Sequence, residues 1–153
     1  MRFNNLWVLG SLATLIFTVG YFFLNPSYER SLEARFHYAM GDYRQAQRLA
    51  TQAFEMNAYN RMASTVMTQS QTAMKFVNYI DEAKEYMSKI TQIASGDGVS
   101  RADRAKVKIM CEIMMESYIK IAATVLTDKD LIEEAKEYND KFKKLHDDIT
   151  ARQ

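Results

Sequence analysis

Two segments of this chain spell nearly the same helix: YIDEAKEYMSKI at 79–90 and LIEEAKEYNDKF at 131–142 agree at seven of twelve positions. Neither copy contains a histidine, cysteine or glycine, so the recurrence transmits no shared chemistry. It transmits a spacing. Aligned on alanine with a third segment, the copies bring Ala46, Ala83 and Ala135 into register. Leu49, Tyr86 and Tyr138 follow three residues on, then Ala53, Ile90 and Phe142 at seven, and Met56, Ile93 and Leu145 at ten. Steps of three and four keep these positions on one face of a helix, whereas Lys84, Glu85, Lys136 and Glu137 fall on other faces and stay in water. One apolar stripe written three times is a packing instruction, and it predicts an all-α protein. One proline and five glycines in 153 residues leave long stretches free of helix breakers.

The clearest single unit lies at 27–60. ARFHYAMGDYRQAQRLATQAFEMNAYN reads as helix, tight turn, helix, with Gly41 ending the first helix and Asp42 capping the second. Ala46, Ala50 and Ala53 give the second helix a small-residue face that allows close antiparallel approach. This stretch resembles a tetratricopeptide repeat, a family built on a 34-residue helix-turn-helix unit. The resemblance rests on Gly41, Asp42 and Tyr43 at the turn and on Ala46, Ala53 and Phe54 in the second helix. The chain departs from the family pattern at Ala58, where a closing proline is usual, and at Arg30 and Ala34, where an aromatic and a glycine are usual. The resemblance implies a short α-solenoid of about three helical hairpins that binds a protein along its surface.

Expected helices after the amino-terminal segment are 27–40, 43–57, 60–77, 79–94, 100–126 and 129–150. Ser27 is placed to cap the first, SGDG at 95–98 forms a loop, Ser100 with Asp103 makes a capping box, and the Thr127–Asp130 stretch opens the last helix.

From Leu6 to Leu24 the chain reads LWVLGSLATLIFTVGYFFL without a charge. As a helix it spans ~28 Å, matching a bilayer core of about 30 Å. The expected organisation is a short tail at 1–5, a transmembrane signal anchor at 6–24 and a helical domain at 27–153. Trp7 and Tyr21 suit the two membrane interfaces. A cleaved signal peptide is the rival reading, but NPSYERS lacks a small-x-small cleavage pattern. Arg2 and the terminal amine stand against Arg30 and Arg35 across the span, and the expected arrangement is a cytoplasmic tail with an extracytoplasmic domain. Gly10, Ser11, Ala13 and Thr14 are small enough for a second helix to approach, without GxxxG spacing.

No catalytic constellation is written here. GxSxG, a Walker loop and HExxH are all absent, and Gly96-Asp97-Gly98 lacks a dinucleotide fingerprint. His37 and His146 lie far apart in sequence; His37 reads as a ring packed between helices and His146 as a surface residue near a helix end. The acidic pairs Glu133-Glu134 and Asp147-Asp148 point about 100° apart on a helix, a solvated arrangement. Cys111, the only cysteine, lies in IMCEIMM and reads as a small buried hydrophobe. No cofactor or metal is expected, and a net charge of +1 gives no field for nucleic acid.

The helix opened by Ser100 is the exception to one-sided packing. Val107, Met110, Met114, Tyr118, Ile121 and Val125 form its core stripe, while Ile109 and Ile113 point away, with Met115 and Ile119 widening the flank. These four residues are the candidate partner interface; the bland reading is a helix buried on both faces. The function expected is a membrane-anchored scaffold or accessory subunit of an envelope complex. A self-associating structural protein is the alternative, and a small membrane enzyme the remaining class.

Overall fold

Helix boundaries follow from local chemistry at almost every junction. The computed structural model describes the backbone of residues 3–96 and 99–151, with side chains over the same ranges except at 3–6 and 21–24. Six helices run in order: α1 Phe3–Leu24, α2 Pro26–Ala39, α3 Tyr43–Met56, α4 Arg61–Ala94, α5 Arg101–Lys120 and α6 Lys129–Thr150. No strand occurs among the described residues, so the all-α expectation holds. Asn25 alone separates α1 from α2. Its extended backbone and the Pro26 ring stop the first helix, and its side chain, in place of the expected Ser27, caps the second by accepting from the Ser27 amide at 3.1 Å. Ser27 is buried instead and donates to the Ala53 carbonyl at 2.8 Å.

Among the described residues no helix is long and apolar enough to cross a membrane. The side chains described on α1 are those of 7–20, about 21 Å of helix. The expected span at 6–24 reaches beyond them at both ends, and Tyr21, assigned to one interface, lies outside the described side chains. So do the backbones of Arg2 and of Asp97 and Gly98 in the expected loop.

The chain divides into two compact units, Met1–Ser70 and Gln71–Gln153. In the first, α2 and α3 form the expected hairpin. Gly41 carries the turn at φ 79°, a left-handed conformation that costs a residue with a Cβ ~1–2 kcal/mol. No atom crowds the space a Cβ there would fill, so the demand is purely one of backbone. Asp42 caps α3 through the Gln45 amide at 3.2 Å, while its other oxygen lies 3.2 Å from His37 Nδ1. Ser27, Ser31 and Ala34 on α2 are buried, as are Tyr43, Ala46, Leu49, Ala50 and Ala53 on α3. The serines and alanines among them are small enough to let the two backbones approach closely.

In the second unit Phe76, Tyr79, Ile80, Ala83 and Ile90 of α4 share one core with Val107, Cys111 and Met114 of α5 and with Ala135 and Phe142 of α6. Tyr86, Ile93, Tyr138 and Leu145 pack half-buried against it. The stripe therefore lies inward in each copy, except at Met56, which is 54% exposed because α3 ends there and Asn57 turns extended.

Two boundaries differ from expectation. The helices expected at 60–77 and 79–94 are one helix of 34 residues, so the turn of the second expected hairpin is missing. Asn78 sits between Val77 and Tyr79 with no glycine or proline near it, and nothing local interrupts the backbone hydrogen bonds. Helix α5 stops at Lys120, short of the expected 126. Ile121, Thr124 and Val125 are β-branched, and Thr127 Oγ1 accepts from the Thr124 amide at 2.8 Å, offering the backbone an alternative to helix. Val125, expected in the core stripe, is consequently fully exposed.

Candidate functional site

Helix α5 presents two faces of different character. The capping box fixes its start: Ser100 Oγ accepts from the Asp103 amide at 3.1 Å, and the Asp103 carboxylate accepts from the Ser100 amide at 3.3 Å. From that start, steps of three and four carry Val107, Cys111 and Met114 into the core, with Met110 and Tyr118 half-buried beside them. Burial, and secondarily Glu112, pushes the Cys111 thiol up to about 11, so it is a core group and no nucleophile at neutral pH.

The opposite face is open. Ile109 is 55% exposed and Ile113 39%, and Ile119 on the flank is 81% exposed. The expectation that these isoleucines face away from the core holds, and the helix does not bury both faces. Met115 departs from it. Lying four residues after Cys111, it sits half-buried against the core. Around the isoleucines the face is charged: Lys106 lies 3.9 Å from Asp103, and Lys120 lies 2.8 Å from Glu116. The Lys120 hydrogen bond, reinforced by its charge, holds the Glu116 carboxyl below the usual carboxylate range. The placement of the isoleucines between Lys106 and Lys120 is legible in the sequence, whereas the pairing of those lysines with Asp103 and Glu116 is not.

The other groups singled out in the sequence serve structure. His37 braces the cap residue Asp42, and His146 lies 3.5 Å from both Glu112 and Asp147 on the side of α6. Among the described residues no group of three or more histidine, cysteine or acidic side chains could hold a metal ion. A cavity of about 550 Å³ in the second unit is walled by Ile90, Ile93, Val99, Leu145 and Ile149, with Arg104 the charged group on its lining. Among the described residues it offers shape and one cation, without an acid-base pair.

Comparison with known proteins finds no matching family model, curated protein or solved structure. The likeness to a helical repeat therefore rests on the residues of 27–60 themselves.

The duplicated segment repeats more than its buried stripe. Glu85 and Lys89 pair at 2.6 Å with the ammonium over the Tyr86 ring, and Glu137 and Lys141 pair at 2.7 Å with the ammonium over Tyr138. A further bridge of 2.9 Å joins Lys84 of one copy to Glu134 of the other. All these side chains are well exposed, where such pairs are worth only about 0–1 kcal/mol each. They keep the outer surfaces of α4 and α6 soluble, in contrast to that of α5.

Two buried hydroxyls, those of Ser70 and Tyr79, are left unpaired among the described residues. The Tyr79 hydroxyl is buried with no hydrogen-bond partner among the described residues, its ring 5.6 Å from that of Tyr118. Burial first, then Tyr118, Asp140 and Glu82, raises its pKa far above the ordinary 10.0. The folded state keeps its proton at a pH where the unfolded chain loses it, so stability present below pH 10 falls as pH rises beyond it. Cys111 adds a loss between its ordinary 9.0 and about 11. Tyr79→Phe is expected to be neutral or to stabilise by up to about 1 kcal/mol at pH 7, since it removes an unsatisfied donor. Denaturation midpoints from pH 7 to 11 should fall less steeply in the variant; an unchanged slope would show that the hydroxyl reaches solvent.

Proposed function

We propose that this chain is a membrane-anchored helical interaction protein, with α1 as the anchor and the Ile109–Ile113 face of α5 as the surface a protein partner covers. The observation that carries the reading is that face. A helix buried along one side exposes branched apolar residues along the other, and contiguous exposed apolar surface marks interaction sites. The α2–α3 hairpin and the repeat-like residues at its turn support a binding module.

The anchor is supported by the character of α1. Trp7, Leu9, Leu12, Leu15, Ile16 and Phe17 are all exposed and point in every direction around the helix, the pattern of a span and not of an amphipathic surface helix. Its serine and threonine hydroxyls are satisfied within the helix: Ser11 donates to the Trp7 carbonyl at 2.9 Å, Thr14 to the Gly10 carbonyl and Thr18 to the Thr14 carbonyl at 2.8 Å. A lipid environment demands such internal pairing.

The test is Ile109→Lys together with Ile113→Lys in the full chain. Both positions are open to solvent, so the variant should keep its helicity and melting temperature while losing its protein cross-links in native membranes. Unfolding or aggregation would place the isoleucines in the core and remove the site. For the anchor, intact mass of membrane-extracted protein should retain residues 1–24, and a mature chain beginning near Asn25 would overturn it.

A further inference from the structure

The reading of the α5 face as an interface leaves its occupant open, and the charge along the face selects one. Ala102, Lys106, Ile109, Ile113, Glu116 and Lys120 succeed one another at intervals of four, three, four, three and four residues. That is the spacing of a coiled-coil seam, in which alternating steps keep one line of side chains facing a partner helix. Ala102, Lys106, Ile109, Ile113, Glu116 and Lys120 are all exposed, and their helical positions fall within about 80° of arc at ~100° per residue. The two isoleucines sit at the centre, with Lys106 before them and Glu116 and Lys120 after.

We infer that this seam pairs with the same seam of a second copy of the chain, antiparallel, about a two-fold axis at the level of Cys111. In that register each level is a pair centred on residue 111. Ile109 meets Ile113 of the second copy, Lys106 meets its Glu116, and Ala102 meets its Lys120. Two-fold symmetry repeats every contact, so two isoleucine layers are flanked on both sides by opposite charges. Glu116 then lies between its own Lys120, 2.8 Å away, and Lys106 of the second copy. The small Ala102 leaves room for the aliphatic stem of the facing lysine.

The alternatives are selected against by the same residues. A parallel pair sets Lys106 against Lys106, Glu116 against Glu116 and Lys120 against Lys120, an arrangement of like charges at every charged level. An antiparallel pair slipped by one heptad sets Ile109 against Lys120 and Ile113 against Glu116, which separates the isoleucines from each other. Only the register centred on residue 111 satisfies apolar and charged positions together.

The inference rests on the interface reading above, and charge reversal tests it separately. The full chain is purified in detergent, and its monomer-dimer equilibrium is measured by sedimentation, with circular dichroism confirming that each variant keeps its helices. Lys106→Glu alone and Glu116→Lys alone each create two like-charge contacts and should weaken the dimer by about tenfold or more. Lys106→Glu combined with Glu116→Lys restores opposite charges at both levels and should recover the dimer. A double variant as weak as the single ones, or a dimer indifferent to every swap, overturns the register. A wild-type chain that stays monomeric while the Ile109→Lys, Ile113→Lys variant loses cross-links to a different protein overturns self-pairing and leaves the interface standing. If that lysine variant unfolds, both fall.

Discussion

Phe142→Ala is expected to destabilise the second unit by about 3 to 5 kcal/mol, the range for truncating a fully buried aromatic. Phe142 is wholly enclosed on α6, in one core with residues of α4 and α5, so the cavity left behind is bounded by three helices and cannot collapse onto a surface. Tyr138, on the same stripe but half-buried, should cost less, because its outer edge already meets water beneath the Lys141 ammonium. Lys136→Ala lies on the wet face and should change stability by no more than about 0.5 kcal/mol. Urea denaturation of the three variants orders them. A Lys136 variant as damaging as Phe142→Ala would mean that the duplicated segment does not pack on its alanine stripe.

That ordering could be read from sequence because a stripe at intervals of three and four has one physical meaning, and Ala83, Ile90, Ala135 and Phe142 are all buried as the alignment requires. Caps were equally legible where the residue and its receiving amide are close in sequence, as at Asp42 and at Ser100 with Asp103. The turn expected at Asn78 was not a local inference: it came from extending a repeat period over residues that contain no breaker, and the backbone followed the residues. The end of α5 failed for a related reason. Apolar periodicity continues through Val125, but β-branched residues and the Thr127 hydroxyl decide the backbone at Ile121. On the outer side of α5 the exposure of Ile109, Ile113 and Ile119 follows from helical angle alone, whereas that of Met115 depends on how far the core reaches around the helix, which no angle gives.

Least legible of all was a polar group on which the first unit depends. Asn60, immediately before α4, is fully buried, and every hydrogen-bonding position of its side chain is used. Its carbonyl oxygen accepts from the amides of Met62 at 3.0 Å and Ala63 at 3.2 Å, capping the helix. Its amide nitrogen donates to Ser27 Oγ at 2.9 Å and Ser31 Oγ at 3.1 Å on α2. The serines complete the arrangement, with Ser27 donating to the Ala53 carbonyl at 2.8 Å and Ser31 to Tyr28 at 3.0 Å. One side chain thus ties the start of α4 to α2, and through Ser27 to the end of α3. In sequence it is only the first residue of the helix expected at 60–77, because its partners stand 29 and 33 residues away.

Asn60→Ala removes a cap and strands buried amides, and should cost roughly 2 to 4 kcal/mol. Asn60→Asp separates the two roles. The carboxylate can still cap α4, but it cannot donate to the serines and brings a charge into a buried site, so it too should destabilise at pH 7. Lowering the pH should relieve part of that loss, since the protonated acid regains one donor. If Asn60→Asp behaves as wild type while Asn60→Ala is damaging, the cap alone matters. Should Asn60→Ala instead cost less than about 0.5 kcal/mol, α4 and α2 are held by the apolar contacts of Val66 and Ala34 without this network.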